Sequence, residues 1–194
     1  MIIRDARREE AREIAKLIMV AMNYECCQFW AGPEHTLQDF EDVMTRLVER
    51  EDSQYSYLNT IVAAEEEKPE KDHSILGVCV SYDGGELHRL REAFFEEALR
   101  AFGIDHRGIP DETEPGEWYF DSLAVRSDCR HQGIATKLLE AAKERARKAG
   151  LPIAGLLVDQ GNIAVEKLYA SVGFHYANDS TWGGHPMRHL ICEL

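Results

Sequence analysis

Apolar residues recur with two different periods along the first half of the chain, which predicts strands alternating with helices. The opening MIIRDA has the pattern of a short strand. A helical pattern follows from Arg7 to Ala21, and a second one has Phe40, Val43, Met44 and Leu47 on one side. β-rich runs then occur in NTIVAAEE and SILGVCVSYD, separated by the charged loop EKPEKDH. These two runs predict a hairpin of buried strands.

The second half continues the alternation. After DGG, one face of a helical pattern carries Leu87, Leu90, Phe94, Ala98 and Phe102, and Gly103 ends it. WYFDSLAV predicts a central strand. A further amphipathic helix has an apolar stripe of Ile134, Leu138, Ala142, Ala146 and Ala149. The remaining segments predict a strand in IAGLLV, a short helix in IAVEKLYASVG, and closing strands in FHYA and MRHLICEL.

Composition narrows the class of protein. The 194 residues predict one domain, residues 1–194, and the formal net charge of −13 disfavours a nucleic-acid-binding protein. Five cysteines form an odd set without a CxxC pair, which is typical of thiols kept reduced in the cytoplasm. The N-terminus lacks the apolar core of a signal peptide, and the apolar runs are too short to span a bilayer. We therefore expect a soluble cytoplasmic protein with no membrane partner.

A basic turn, CRHQGIA, stands between the central strand and the helix that follows it. At such a junction the unpaired N–H groups of the first helical turn and the positive end of the helix dipole converge, which favours an anion such as phosphate. Gly133 lets a ligand approach the backbone, Thr136 can donate a hydroxyl, and Arg130 supplies positive charge. The spacing matches neither the phosphate loop of nucleotide hydrolases nor the dinucleotide fingerprint.

Two motifs resemble the GNAT superfamily of N-acetyltransferases. LAVRSDCRHQGIATKLL is similar to its acetyl-coenzyme A motif, Arg/Gln-x-x-Gly-x-Gly/Ala. GNIAVEKLYASVGF resembles its Asn-x-x-Ala-x-x-Leu-Tyr-x-x-x-Gly-Phe run, with matches at Asn162, Ala164 or Val165, Leu168, Tyr169, Gly173 and Phe174. The resemblance is strong from about Trp118 to Phe174. It does not cover residues 83–117, which form a helical insertion between strands 3 and 4, where the family has a short turn.

The resemblance implies a fold and a co-substrate. The fold is an α/β domain whose mixed, twisted sheet of six to seven strands is flanked by helices and opened between strands 4 and 5 to admit acetyl-coenzyme A. The implied coenzyme A-binding residues are Leu123, Ala124, Val125, Arg130, His131, Gln132, Gly133, Ile134, Ala135, Thr136 and Asn162. In the family, the backbone of strand 4 pairs with the pantetheine arm like an added strand.

The resemblance also implies catalytic groups. Tyr169 matches the family tyrosine that donates a proton to the coenzyme A thiolate. Glu117 and Asp121 flank or lie on strand 4 and share a face with Tyr119, so either carboxylate is a candidate general base. Cys129 lies in the phosphate turn, which is the wrong place for an acyl-accepting nucleophile. We predict no metal site, because His189 and Cys192 would lie on opposite faces of a strand.

These expectations predict an N-acetyltransferase in which a primary amine attacks acetyl-coenzyme A directly in a ternary complex. The alternative is a non-catalytic coenzyme A-binding sensor or interaction domain. The acceptor, a small molecule or a peptide amine, stays open, and a homodimer is possible. Residues 83–117 contain ten Asp and Glu residues against four Arg residues. This charge predicts that the insertion selects a cationic amine, and the alternative is that its apolar face packs on a neighbour and leaves the acids in solvent.

Overall fold

The computed structural model describes residues 1–65, 75–182 and 185–194 of the chain. The predicted loop EKPEKDH lies outside the described residues. The strands are β1 (Ile2–Asp5), β2 (Thr60–Ala64), β3 (Ile75–Asp83), β4 (Glu117–Val125), β5 (Ile153–Asp159), β6 (His175–Trp182) and β7 (His185–Glu193). The helices are α1 (Ala11–Met22), α2 (Tyr24–Ala31), α3 (Leu37–Glu49), α4 (Leu87–Phe102), α5 (Ile134–Ala149) and α6 (Ile163–Ser171). No helix within the described ranges is long and apolar enough to cross a membrane.

The seven strands form one sheet in the order β1-β2-β3-β4-β5-β7-β6. β4 and β5 run parallel, whereas the other neighbouring pairs are antiparallel. β2 and β3 pair as the predicted hairpin of buried strands, with Val62 opposite Val78. The predicted mixed sheet flanked by helices is therefore confirmed.

Each face of the sheet supports a separate apolar core. On one face, residues of α1, α3 and α4 share an apolar core with Val78 and Val80 of β3. On the other face, α5 buries Leu138 and Leu139 against strand residues that include Cys79 and Leu156. Of the stripe predicted for α5, Ala149 alone is exposed, because the helix ends beside Gly150 in the left-handed conformation.

Most of the insertion's helix belongs to the first core, while Leu87 and Leu90 form a small cluster with Tyr82 and Tyr119. Its helix, α4, buries the predicted apolar face, comprising Leu87, Leu90, Phe94, Ala98 and Phe102. α4 packs against α2 and α3, so the predicted packing on a neighbour is confirmed within this chain.

Several acids of α4 form ion pairs at the helix surface. Glu97 lies 2.9 Å from Arg46, and Glu96 lies 3.0 Å from Arg50. These acids are thus paired with arginines at the surface, and selection of a cationic amine by the insertion stays a prediction.

Candidate active site

The sheet opens between β4 and β5. These two strands pair only from Glu117 to Tyr119, opposite Ile153 to Gly155. Farther along β4, residues 123–125 still pair with β3 at one edge. The edge that faces β5 has no strand partner there among the described residues. An open edge of this kind can accept an extended ligand as an added strand.

A compact turn connects the open end of β4 to α5. Gly133 takes the left-handed conformation, with φ of 74°, immediately before α5 begins at Ile134. His131 also has a positive φ of 60°. The first turn of α5 carries no acidic residue, and no side chain of the described part of the protein caps it. The N–H groups at this helix end are therefore free to face an anion.

The predicted phosphate-binding residues surround that helix end. Arg130 is exposed, and its Nε donates a hydrogen bond to the Val125 carbonyl over 3.2 Å. His131 and Gln132 are exposed in the turn, while Ile134 is buried beneath it. A Cβ atom added to Gly133 would have no described heavy atom within 4 Å. The space above the Gly133 backbone is therefore open to a ligand.

Tyr169 lies on α6, and Asn162 lies immediately before that helix. Asn162 caps the helix, with its side chain accepting a hydrogen bond from the Val165 N–H over 3.4 Å. The Tyr169 ring packs edge-on against Phe174, with centroids 5.8 Å apart. Burial, together with the nearby Cys79 thiol, raises the pKa of Tyr169 well above its ordinary value. The phenol is therefore protonated at neutral pH and retains a proton to donate.

Glu117 lies on β4 at the closed end of the opening, and both of its carboxylate oxygens are hydrogen-bonded. Its carboxylate accepts a hydrogen bond from Thr113 Oγ1 over 2.5 Å and lies 2.9 Å from His189 Nε2. The hydrogen bond that His189 donates to Glu117 raises the pKa of His189. Gly155 on β5 makes room for this pair, because a Cβ atom there would overlap the Glu117 carboxylate.

Asp121 lies farther along β4, at a bulge where β4 bends. Val80 pairs with Ser122 and Ser81 pairs with Phe120, so Asp121 is left without an opposite residue. Its carboxylate accepts hydrogen bonds from Gln54 Nε2 over 3.1 Å, Tyr82 Oη over 3.2 Å and Ser122 Oγ over 2.8 Å. Burial raises the pKa of Asp121 above its ordinary value. This raised pKa makes the carboxylate a stronger base than an exposed one.

A second buried acid, Glu112, comes from the loop after α4. It forms an ion pair with Arg91, and its Oε1 lies 3.4 Å from Gln54 Nε2. Burial raises the pKa of Glu112 to about 7, and the charge on Asp121 contributes. The amide group of Gln54 thus bridges the two carboxylates. Sequence reasoning missed Gln54 and Glu112, because each stands in a stretch of polar residues that reads as surface. It missed Arg91 because a charged residue in an amphipathic helix reads as solvent-exposed.

The predicted absence of a metal site stays a prediction, but the structure offers no support for a site at His189. No group of three or more potential metal ligands occurs in the ranges that the structure describes. His189 instead bonds to Glu117, and its Nδ1 lies 3.1 Å from Asn178 Oδ1.

Comparison with known proteins identifies the family. The model of the acetyltransferase (GNAT) family matches residues 23–174, which is most of the chain. The chain belongs to the GNAT acetyltransferase family. The search of curated proteins found no matching sequence.

Solved structures agree with the GNAT assignment. A crystal structure described as an acetyltransferase is 28% identical with a TM-score of 0.80, covering 100% of this chain and 99% of that one. An N-acetyltransferase from Staphylococcus aureus Mu50 is 25% identical with a TM-score of 0.77, covering 98% and 100%. The NatC complex bound to Gag peptide and CoA is 18% identical with a TM-score of 0.58, covering 100% and 98%, and shares the fold. The GNAT family and these neighbours identify the chain as an acyl-transferring enzyme.

Proposed function

We propose that this protein, acting as one domain over residues 1–194, transfers the acetyl group of acetyl-coenzyme A to a primary amine by direct attack in a ternary complex. The observation that carries the proposal is the opening between β4 and β5, whose free β4 edge leads straight to the uncapped N-terminus of α5. One end of this path suits an extended amide-containing arm, and the other suits a pyrophosphate.

Residues along this path would hold acetyl-coenzyme A. Backbone N–H groups of Ile134, Ala135 and Thr136, with the Arg130 guanidinium, would hold the pyrophosphate. The backbone of residues 123–125 would pair with the pantetheine arm, and Asn162 would flank it from α6. Together these contacts would orient the thioester toward the bulge at Asp121.

Acetyl transfer then needs two proton movements. The amine nitrogen forms a bond to the thioester carbonyl carbon, and the bond from that carbon to sulfur breaks. We assign the proton of the attacking amine to Asp121, directly or through water, because its carboxylate lies at the bulge beside the opening. We assign to Tyr169 the proton that the departing thiolate takes up.

We propose a supporting role for Glu117 rather than a base role. Its two oxygens already bond to Thr113 and His189, so it would have to break an ion pair to accept a proton. Glu117 thereby holds β4 and β7 in place at the closed end of the opening.

A thiol-release assay with acetyl-coenzyme A and a panel of primary amines tests the function. We expect release that depends on the amine and falls about 100-fold or more in Asp121→Asn, within the range for an acid–base group. Cys129→Ser should retain activity, because direct attack needs no acyl-enzyme. Binding of acetyl-coenzyme A without release for any amine would contradict the enzyme and favour a non-catalytic binding domain.

A further inference from the structure

Gln54 lies beside the proposed base and is fixed at its backbone and at its side chain. Its backbone N–H donates to the Leu90 carbonyl over 3.2 Å, and its own carbonyl accepts from Asn59 Nδ2 over 3.2 Å. The residue is 3% exposed. Its Nε2 donates to Asp121 Oδ2 over 3.1 Å. These bonds hold the amide group in one place relative to the bulge on β4.

The neighbours of the Gln54 amide group determine its orientation. Nε2 carries two hydrogens and lies 3.1 Å from Asp121 Oδ2 and 3.4 Å from Glu112 Oε1. The reverse orientation would place Oε1, an acceptor, against two groups that only accept when they are ionised. The amide therefore directs its N–H groups toward the two acids.

The other side of the amide group borders a cavity of about 10 Å³, which admits a single water molecule. Within the part of the chain that the structure describes, Gln54 Oε1 and Arg91 Nε are buried and make no hydrogen bond, and both residues line this cavity. One water molecule can donate to Oε1 and accept from Arg91 Nε–H. This orientation of the amide is thus compatible with hydrogen bonding on both of its sides.

The hydrogen bonds to Asp121 are divided unequally between its two oxygens. Oδ2 accepts from Gln54 Nε2 and from Tyr82 Oη, which lies 3.2 Å away. Oδ1 accepts from Ser122 Oγ over 2.8 Å, its one donor among the described residues. A carboxylate oxygen has about two acceptor positions, so both are occupied on Oδ2 and one stays open on Oδ1.

We propose that Gln54 is a positioning residue: together with Tyr82 it occupies the acceptor positions of Asp121 Oδ2, so that Oδ1 takes the proton of the attacking amine. The N–H bond of the amine breaks, an O–H bond forms at Oδ1, and the electron pair of the N–H bond stays on nitrogen. Gln54 acts through Asp121 and not on the substrate. This inference rests on the proposed acetyl transfer and specifies which atom of the base reacts.

Titratable groups face Asp121 from several elements, and most of them are neutral. They are Tyr55 after α3, Cys79 and Tyr82 on β3, Arg91 on α4, Glu112 in the loop after α4, and Tyr119 on β4. Burial raises the pKa of the three tyrosines well above the ordinary value and that of Cys79 to about 12. α1 also packs against β4, and its buried residues are Ala11, Ile14, Ala15, Ile18 and Met19. Arg91 and Glu112 are the charged neighbours among these groups, and they form an ion pair with each other.

Removal of the Gln54 amide should change the pH dependence of catalysis. The N–H group that Gln54 donates favours the ionised carboxylate, so Gln54→Met raises the pKa of Asp121. Loss of a hydrogen bond to a charged group shifts a pKa by about one unit. The acid limb of kcat should therefore move to higher pH by about one unit. Below that limb kcat should fall about tenfold, with the Kd for acetyl-coenzyme A unchanged.

Two measurements test this expectation. The first is kcat against pH at saturating acetyl-coenzyme A, with one primary amine that supports thiol release, so that the titration of the amine is common to every variant. The second is a carbon NMR titration of the Asp121 carboxyl group in the protein alone, with its signal identified by its loss in Asp121→Asn. The matched control is Gln38→Met, because the exposed Gln38 side chain likewise donates to an aspartate, Asp42, over 3.3 Å.

We expect Gln54→Met to shift both the acid limb and the Asp121 signal, and Gln38→Met to shift neither. Tyr82→Phe removes the other donor to Oδ2 and should shift both in the same direction. A loss of kcat that is uniform across pH, with an unmoved acid limb in folded Gln54→Met, would show a merely structural role and overturn the inference. If Gln54→Met does not fold, Gln54→Asn decides by the same criterion, because its shorter side chain withdraws the amide from Asp121.

Failure of this inference is distinguishable from failure of the proposed function. An acid limb that disappears in Asp121→Asn but is unmoved in Gln54→Met would overturn the inference and leave Asp121 as the base. An Asp121 signal that shifts in Gln54→Met while the kcat profile stays unchanged would overturn the assignment of Asp121 as the base, and the positioning role with it.

Discussion

The most informative perturbation is a pair of valine substitutions at the two ends of α5. Gly133 at the start of the helix has φ of 74°, and Gly150 at its end has φ of 80°. At neither glycine would an added Cβ atom have a described heavy atom within 4 Å. Gly133→Val and Gly150→Val thus impose the same kind of backbone strain, but only Gly133 faces the proposed pyrophosphate site.

The two valine substitutions should have similar effects on stability but different effects on the affinity for acetyl-coenzyme A. A left-handed conformation costs an L-residue about 1–2 kcal/mol, so both variants should lose similar stability. A side chain at position 133 also covers the N–H groups of the first turn. Loss of two hydrogen bonds to a charged group costs at least about 3 kcal/mol, which is about a 100-fold weaker Kd. Gly150→Val should bind acetyl-coenzyme A like the wild type.

Titration calorimetry with two ligands separates the pyrophosphate from the arm. S-acetylpantetheine carries the thioester arm without the pyrophosphate. Gly133→Val should therefore scarcely change the affinity for S-acetylpantetheine, whereas it should weaken the binding of acetyl-coenzyme A. Thermal melts would confirm that both variants are folded. Wild-type affinity for acetyl-coenzyme A in folded Gly133→Val, or an equal loss in Gly150→Val, would refute the placement of the pyrophosphate.

Two further predictions concern Tyr169 and the Glu117–His189 pair. Tyr169→Phe should lower kcat by about 10- to 1000-fold with little change in the Kd for acetyl-coenzyme A. The control Tyr176→Phe, at an exposed position on β6, should alter neither kcat nor Kd. Full activity of Tyr169→Phe, measured where the chemical step limits the rate, would exclude the phenol as the acid. Because the folded pKa of His189 is raised above 6.5, the stability from its pair with Glu117 is fully present below that pH and is lost as the pH rises through the folded value. Thermal melts from about pH 6 upward should show this loss of stability in the wild type but not in Glu117→Gln. Gly155→Ala should also lack it, because the added Cβ atom would displace the Glu117 carboxylate. Identical pH profiles in the wild type and the variants would count against the pair.

Features set by local sequence could be predicted without coordinates. The strands, the amphipathic helices and the turn before α5 follow from apolar periodicity and from the glycine at position 133, because these signals act over a few residues. The opening between β4 and β5 was expected only from the resemblance to the GNAT superfamily. The short pairing of Glu117 to Tyr119 with β5 agrees with that expectation.

Contacts between distant segments could not be predicted in this way. Gln54, Glu112 and Asp121 meet although 58 and 67 residues separate Gln54 from the two acids. Gln54 follows α3 in the polar segment EDSQ, which reads as a solvated loop. The net charge of the insertion likewise does not reveal which of its acids are buried. Two of its surface acids, Glu96 and Glu97, pair with arginines of α3 and the segment after it, whereas Glu112 is buried against Arg91.

The most direct test of the central claim is a product balance in a single reaction. The purified protein would be incubated with acetyl-coenzyme A and a primary amine that supports thiol release, and free thiol and N-acetylated amine would be quantified together by mass spectrometry. The account predicts that the two products form in equal amounts and that both disappear when the amine is omitted. Thiol release that continues without the amine, or that yields acetate in place of the N-acetyl product, would contradict it.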